Sequence, residues 1–189
     1  MNKRNWTAVC AFLCALLLTG CGQAKVPDVV DTPSLAVDKD GTVTSYLVDV
    51  FDKEYYNIDG LAAMVSEEAA AYNAQKQSGE TEPVFVEKVE ELEDGSGKVV
   101  VVLKYDSTDT FSDYNNGVLF YGTIAQAQEE GYELEAADAE DGQYVLITDQ
   151  KVKLYCPRKA VRAGGGAVLE EDGSVDASAA ENMAYVFMK

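Results

Sequence analysis

Hydrophobic positions along the chain change period several times, and each change marks an element. Trp6 to Leu18 (WTAVCAFLCALLL) is an apolar run behind Lys3 and Arg4. It has the length of the hydrophobic region of an export signal and falls short of the roughly 20 residues that a spanning helix needs. Thr42 to Phe51 (TVTSYLVDVF) is rich in β-branched and aromatic residues and predicts a strand. From Asn57 to Gln77 the spacing becomes helical. Ile58, Leu61, Ala62, Val65, Ala69 and Tyr72 fall three and four residues apart and line one face. Asn57 is a good N-cap, Asp59 suits the positive end of the helix dipole, and Ser78-Gly79 ends the helix.

Pro83 to Leu92 and Lys98 to Tyr105 predict a hairpin, with Glu93-Asp94-Gly95-Ser96-Gly97 as its turn. Val99 to Leu103 is continuously apolar, so this strand is expected at the centre of a sheet, covered on both faces. Val118 to Gly122 (VLFYG) reads as a short strand or as the start of the next helix. Thr123 and Gln126 have capping-box spacing and open a short helix over 124–130, closed by Gly131. Tyr144 to Thr148 and Lys151 to Cys156 read as a strand pair turning at Asp149-Gln150. In the second of them Val152, Leu154 and Cys156 alternate with Lys151, Lys153 and Tyr155. Residues 163–182 are Gly-, Ala- and Ser-rich loop with a short strand at Ala167–Leu169, and Met183 to Met188 is a final strand.

These elements predict an α+β fold: a mainly antiparallel sheet with one long helix and one short helix packed on it, forming a single domain over residues 42–189. Residues 22–41 hold two of the four prolines and no sustained period, so 21–41 is expected to be a flexible tether. A coil of that length has an end-to-end distance of roughly 25 Å.

The end of the first apolar run changes this picture. Leu18-Thr19-Gly20-Cys21 resembles the bacterial lipobox at all four positions: an aliphatic residue, two small ones, then cysteine. The chemistry behind the pattern is a thiol that takes a diacylglycerol and small neighbours that admit a peptidase. The expectation is a lipoprotein signal peptide over 1–20, removed to leave Cys21 as the lipid attachment site. The membrane is then a partner through the N-terminal lipid, and the domain sits on the extracytoplasmic face of the cell membrane. Cys10 and Cys14 leave with the signal, so only Cys156 keeps a free thiol and no disulfide forms within the remaining chain.

Charge narrows the partners further. Loss of residues 1–20 removes two basic residues and no acid, so the formal charge moves from −18 to −20 over 169 residues. Such a chain is repelled by phosphate backbones, and no nucleic acid partner is expected.

The candidate chemistry is sparse. The chain has no histidine, which removes the Ser-His-Asp and Cys-His mechanisms and the usual zinc and copper ligand sets. No cofactor or metal site is read. Cys156 is expected to be a small buried apolar residue. Asp38-Lys39-Asp40-Gly41 lacks the EF-hand glycine, since Val43 holds the sixth position, and reads as a turn. Asp106, Asp109 and Asp113 cluster in YDSTDTFSDY and are taken as solvated loop, and Glu67 and Glu68 as a solvated helix face. Gly164-Gly165-Gly166 lacks a following Gly-Lys-Ser/Thr and reads as a flexible loop.

Phe51-Asp52-Lys53-Glu54-Tyr55-Tyr56-Asn57, leading into a helix that carries Tyr72-Asn73, and the closing Ala184-Tyr185-Val186-Phe187 resemble small uncharacterised lipoproteins of anaerobic Gram-positive bacteria. That resemblance implies an acidic α+β domain on a lipid anchor and transfers no functional residues. The function expected is a cell-surface binding or interaction module with a possible protein partner at the cell envelope. The alternatives are a carboxylate-dependent hydrolase, such as a glycan-acting enzyme, and an accessory solute-binding lipoprotein.

Overall fold

The computed structural model describes residues 22–76, 81–134 and 143–189. The expected signal peptide, Cys21 and the helix-ending Ser78-Gly79 lie outside these residues.

The apolar run Val99–Leu103 sits at the heart of strand β4 (Lys98–Tyr105). Antiparallel partners flank it, β2 (Val43–Val50) on one side and β3 (Val84–Glu91) on the other. Every residue from Val99 to Leu103 is buried, as a strand covered on both faces requires. One face meets the main core. The other is sealed by Leu92, Tyr46 and Val48 against Val100 and Val102. The β3–β4 register shifts between Val86 and Lys88, a bulge on a charged edge strand of the kind that discourages further pairing.

Beyond β2 the sheet departs from the expected plan. Ser34–Val37, read as tether, is strand β1, buried at all four positions. It pairs antiparallel with β2 and parallel with β7 (Lys153–Tyr155). Two short strands, β10 (Val175–Asp176) and β9 (Val168–Leu169), complete a seven-stranded sheet in the order β3-β4-β2-β1-β7-β10-β9. The folded unit therefore starts well before Thr42. Four residues between Pro33 and Asp38 are too few to show a period, and their partners lie far along the chain.

The second sheet has four strands in the order β5-β6-β11-β8: β5 (Leu119–Thr123), β6 (Tyr144–Thr148), β11 (Ala184–Met188) and β8 (Ala160–Gly164). The expected β6–β7 hairpin is absent, because the chain changes sheet at Asp149-Gln150. The two sheets share one core, in which Leu35, Val37, Val43 and Leu103 join Leu119, Leu146, Val186 and Met188. The Gly164–Gly166 segment is a tight turn rather than a free loop. Gly165 has φ +70°, and a Cβ there would come within 1.8 Å of the Met183 carbonyl oxygen.

The fold is thus α+β with mostly antiparallel sheets, one parallel pair, and three helices among the described residues. The long helix α1 (Ile58–Lys76) packs on β3 and buries Val65, Ala69 and Asn73, while Leu61 and Tyr72 are half-buried. The short helix α3 (Ile124–Glu129) carries the expected Thr123–Gln126 capping box and buries Ile124 and Ala127 beneath the second sheet. A third helix, α2 (Thr108–Asn115), occupies the acidic stretch read as loop. Its residues are weak helix formers. It is held by the Ser107 hydroxyl, which accepts from the Thr110 amide, and by Phe111, buried edge-on against Tyr105 at 5.1 Å.

Asn73 joins α1 to the edge of the large sheet. Its amide nitrogen donates to the Val84 carbonyl at 2.7 Å, and its oxygen accepts from the Val84 amide at 3.0 Å. It takes the place of a neighbouring strand for one residue, at 6% exposure. Asn73→Ala would leave both buried Val84 groups without a partner and should cost about 2–4 kcal/mol, read by urea unfolding. A loss under about 0.5 kcal/mol would mean that water replaces the side chain.

Candidate functional site

Two features stand apart at opposite ends of the large sheet. Strands β2 and β4 set the axis between them, with Val43 opposite Tyr105 at one end and Val50 opposite Lys98 at the other.

At the Val43 end is an open groove of about 840 Å³ on the sheet face turned away from α1. Thr44, Tyr46, Phe85 and Lys104 form its floor. The N-terminal arm from Gly22 to Val26, the turn Asp38 to Thr42, Glu82 and Asp106 complete its lining. The arm was expected to be free. Instead the Lys39 amide donates to the Gly22 carbonyl at 3.1 Å, and the Ala24 amide donates to Asp38 Oδ1 at 2.7 Å. Further along, Lys98 Nζ donates to the Asp31 carbonyl, and Val30 is buried.

Five carboxylates line this groove, and four already serve the scaffold. Asp38 takes the Ala24 amide, and Asp40 takes the Thr42 amide and hydroxyl. Those Thr42 hydrogen bonds hold the Asp40 carboxyl below its ordinary range. Glu87 pairs with Lys104 at 2.8 Å, and Asp106 accepts from Thr110 and Ser107. Only Glu82 has no such hydrogen bond or ion pair. Tyr46 holds its proton above the usual range, chiefly through burial and then through the charges of Glu87 and Asp38. The arrangement can hold a polar or cationic group.

The other end presents aromatic side chains. Phe51 closes β2, its amide donating to the Gly97 carbonyl. Its ring lies 4.7 Å from that of Tyr56, and Tyr55 meets Tyr56 edge-on at 5.0 Å. Tyr55 is 78% exposed and Tyr56 43%. Leu47, Val50 and Met64 add exposed apolar surface toward the same end. An uncovered apolar cluster rimmed by Asp52, Lys53 and Glu54 is the usual appearance of a contact surface. The sequence carried one sign of it, three aromatics in six residues of loop.

The other residues considered from the sequence do not converge. Glu67 and Glu68 are exposed on α1, one helical turn beyond Met64. Asp106 precedes α2, Asp109 lies in its first turn, and Asp113 pairs with Lys76 at 2.9 Å and with the Tyr72 hydroxyl at 2.8 Å. Lys76 first, then Tyr72, keeps the Asp113 carboxyl below its ordinary range. Among the described residues, no group of three His, Cys, Asp or Glu is placed to hold a metal ion. Arg158 stacks on Tyr144 at 3.7 Å and donates to the Tyr121 hydroxyl at 2.9 Å, a packing role between strands.

Comparison of the chain with protein-family models, with curated proteins and with solved structures finds no match. Among the described residues, no helix is long and apolar enough to cross a membrane.

Cys156 is partly exposed as a residue, yet burial of its sulfur pushes the thiol up to about 12. A chain of residues 22–189 has this as its sole thiol. Ellman's reagent should react with it far more slowly in the native protein than in urea. Equal rates in both would show an accessible thiol.

Proposed function

We propose that the chain is an exported lipoprotein, acylated on Cys21, whose extracytoplasmic domain binds a protein partner at the cell envelope. The anchor rests on the residues themselves: Lys3 and Arg4, the apolar run to Leu18, and the complete Leu18-Thr19-Gly20-Cys21 pattern. The resemblance to small lipoproteins of anaerobic Gram-positive bacteria is in keeping with it.

The binding role rests on one observation, the exposed Phe51–Tyr55–Tyr56 cluster. Keeping Tyr55 78% exposed in water gains nothing for folding, whereas a rigid aromatic with two rotatable bonds orders at small entropic cost when a partner covers it. A carboxylate hydrolase is the weaker reading. It needs two carboxyl groups facing one substrate, and of the five groove acids Asp38, Asp40 and Asp106 bond the arm and neighbouring turns while Glu87 pairs with Lys104.

Two measurements test the parts separately. Intact mass of the membrane fraction should show loss of residues 1–20 and gain of lipid, and Cys21→Ala should abolish both changes. Unchanged processing of Cys21→Ala would remove the anchor. A photo-crosslinking amino acid at Tyr55 should give a discrete adduct on intact cells, and the same group at Glu129, exposed on α3 at the second sheet, should give none. The same result at both positions would remove the binding surface.

A further inference from the structure

The docked arm bears on how the domain stands on its membrane. Gly22 is bonded to Lys39 and Ala24 to Asp38, so the chain is tied to the β1–β2 turn from the first residue after Cys21. Residues 22, 24 and 26 turn inward and 23, 25 and 27 outward, as in an extended strand lying on the sheet. One peptide unit, about 3.8 Å, separates Gly22 from the cysteine that takes the lipid. No slack remains for the roughly 25 Å reach expected of a free tether.

Charge does not separate the two ends. Exposed Asp40, Glu82 and Asp106 lie beside the groove, and exposed Glu90, Glu91, Glu93 and Asp94 lie around the β3–β4 turn. The docked arm alone distinguishes the end that faces the lipid. The eight residues of β2 place the two ends about 25 Å apart.

We propose that the docked arm, Gly22 to Pro33, holds the acylated domain upright and directly on the lipid surface, with the Asp38–Gly41 turn and the groove mouth at the headgroups and the Phe51–Tyr55–Tyr56 cluster outermost. The pose rests on acylation of Cys21. It assigns the two features different neighbours: the groove meets whatever lies in the headgroup layer, and the aromatic end meets a partner away from it.

The test uses the acylated protein in phosphatidylglycerol vesicles that contain a headgroup-quencher lipid. A fluorophore is placed at Glu82→Cys, beside the groove, or at Glu93→Cys, in the far turn. Both sites are exposed, the acylated Cys21 does not compete for label, and Cys156→Ala in both variants removes the remaining thiol. The Glu82 probe should be quenched at least three-fold more than the Glu93 probe. A ten-residue Gly-Ser insertion between Cys21 and Gly22 should abolish the difference while leaving acylation intact. Equal quenching in a preparation whose mass shows the lipid would overturn the upright pose alone. A difference that survives the insertion would overturn the role of the arm. A mass without lipid would overturn the anchor and the pose with it.

Discussion

Ser34–Val37 makes ladder hydrogen bonds on both of its sides, and the large sheet would come apart without it. On one side lie β2, β4 and β3, all from the first 105 residues of the chain. On the other lie β7, β10 and β9, which come from the last third of the chain. β1 joins them through an antiparallel pair with β2 and a parallel pair with β7. A parallel pair cannot be closed by a tight turn, so this contact brings together residues more than 110 positions apart. The shared core follows from it, because Leu35 and Val37 carry the large sheet's inner face across to Leu146 and Val186.

That constraint also places the site. Once β1 is paired, the preceding residues have nowhere to go except across the outer sheet face. There Val30 is buried and the arm from Gly22 to Val26 lines the groove. The same strand directions send the β3–β4 turn and the Phe51–Tyr56 loop to the opposite end. The polarity of the molecule, docked arm and groove at one end and the uncovered Phe51–Tyr55–Tyr56 cluster at the other, is a property of the sheet rather than of any motif.

Readings made from the sequence held where the information was local. The α1 stripe, the Thr123–Gln126 box, the Gly-rich β3–β4 turn and the central β4 run each need only residues a few positions apart. They failed where a distant partner decides. β1 was taken for tether, α2 for an acidic loop, and β6 and β7 for a hairpin. Thr108–Asn115 shows the reason: its intrinsic helix preference is poor, and the burial of Phe111 against Tyr105 outweighs it. Four-residue strands such as β1 carry too few positions for alternation to be visible at all.

By itself the sequence determined the α+β class, the central hydrophobic strand and the long helix. Each of these is a matter of composition or spacing over a short window. Tertiary structure alone decided that residues 22–33 are docked and that four of the five groove acids are already occupied. It also decided that Tyr55 and Tyr56 stay uncovered while other tyrosines are buried. A carboxylate or a ring has the same local sequence signature whether it faces water, a backbone amide or a core. Long-range pairing and packing choose among those surroundings.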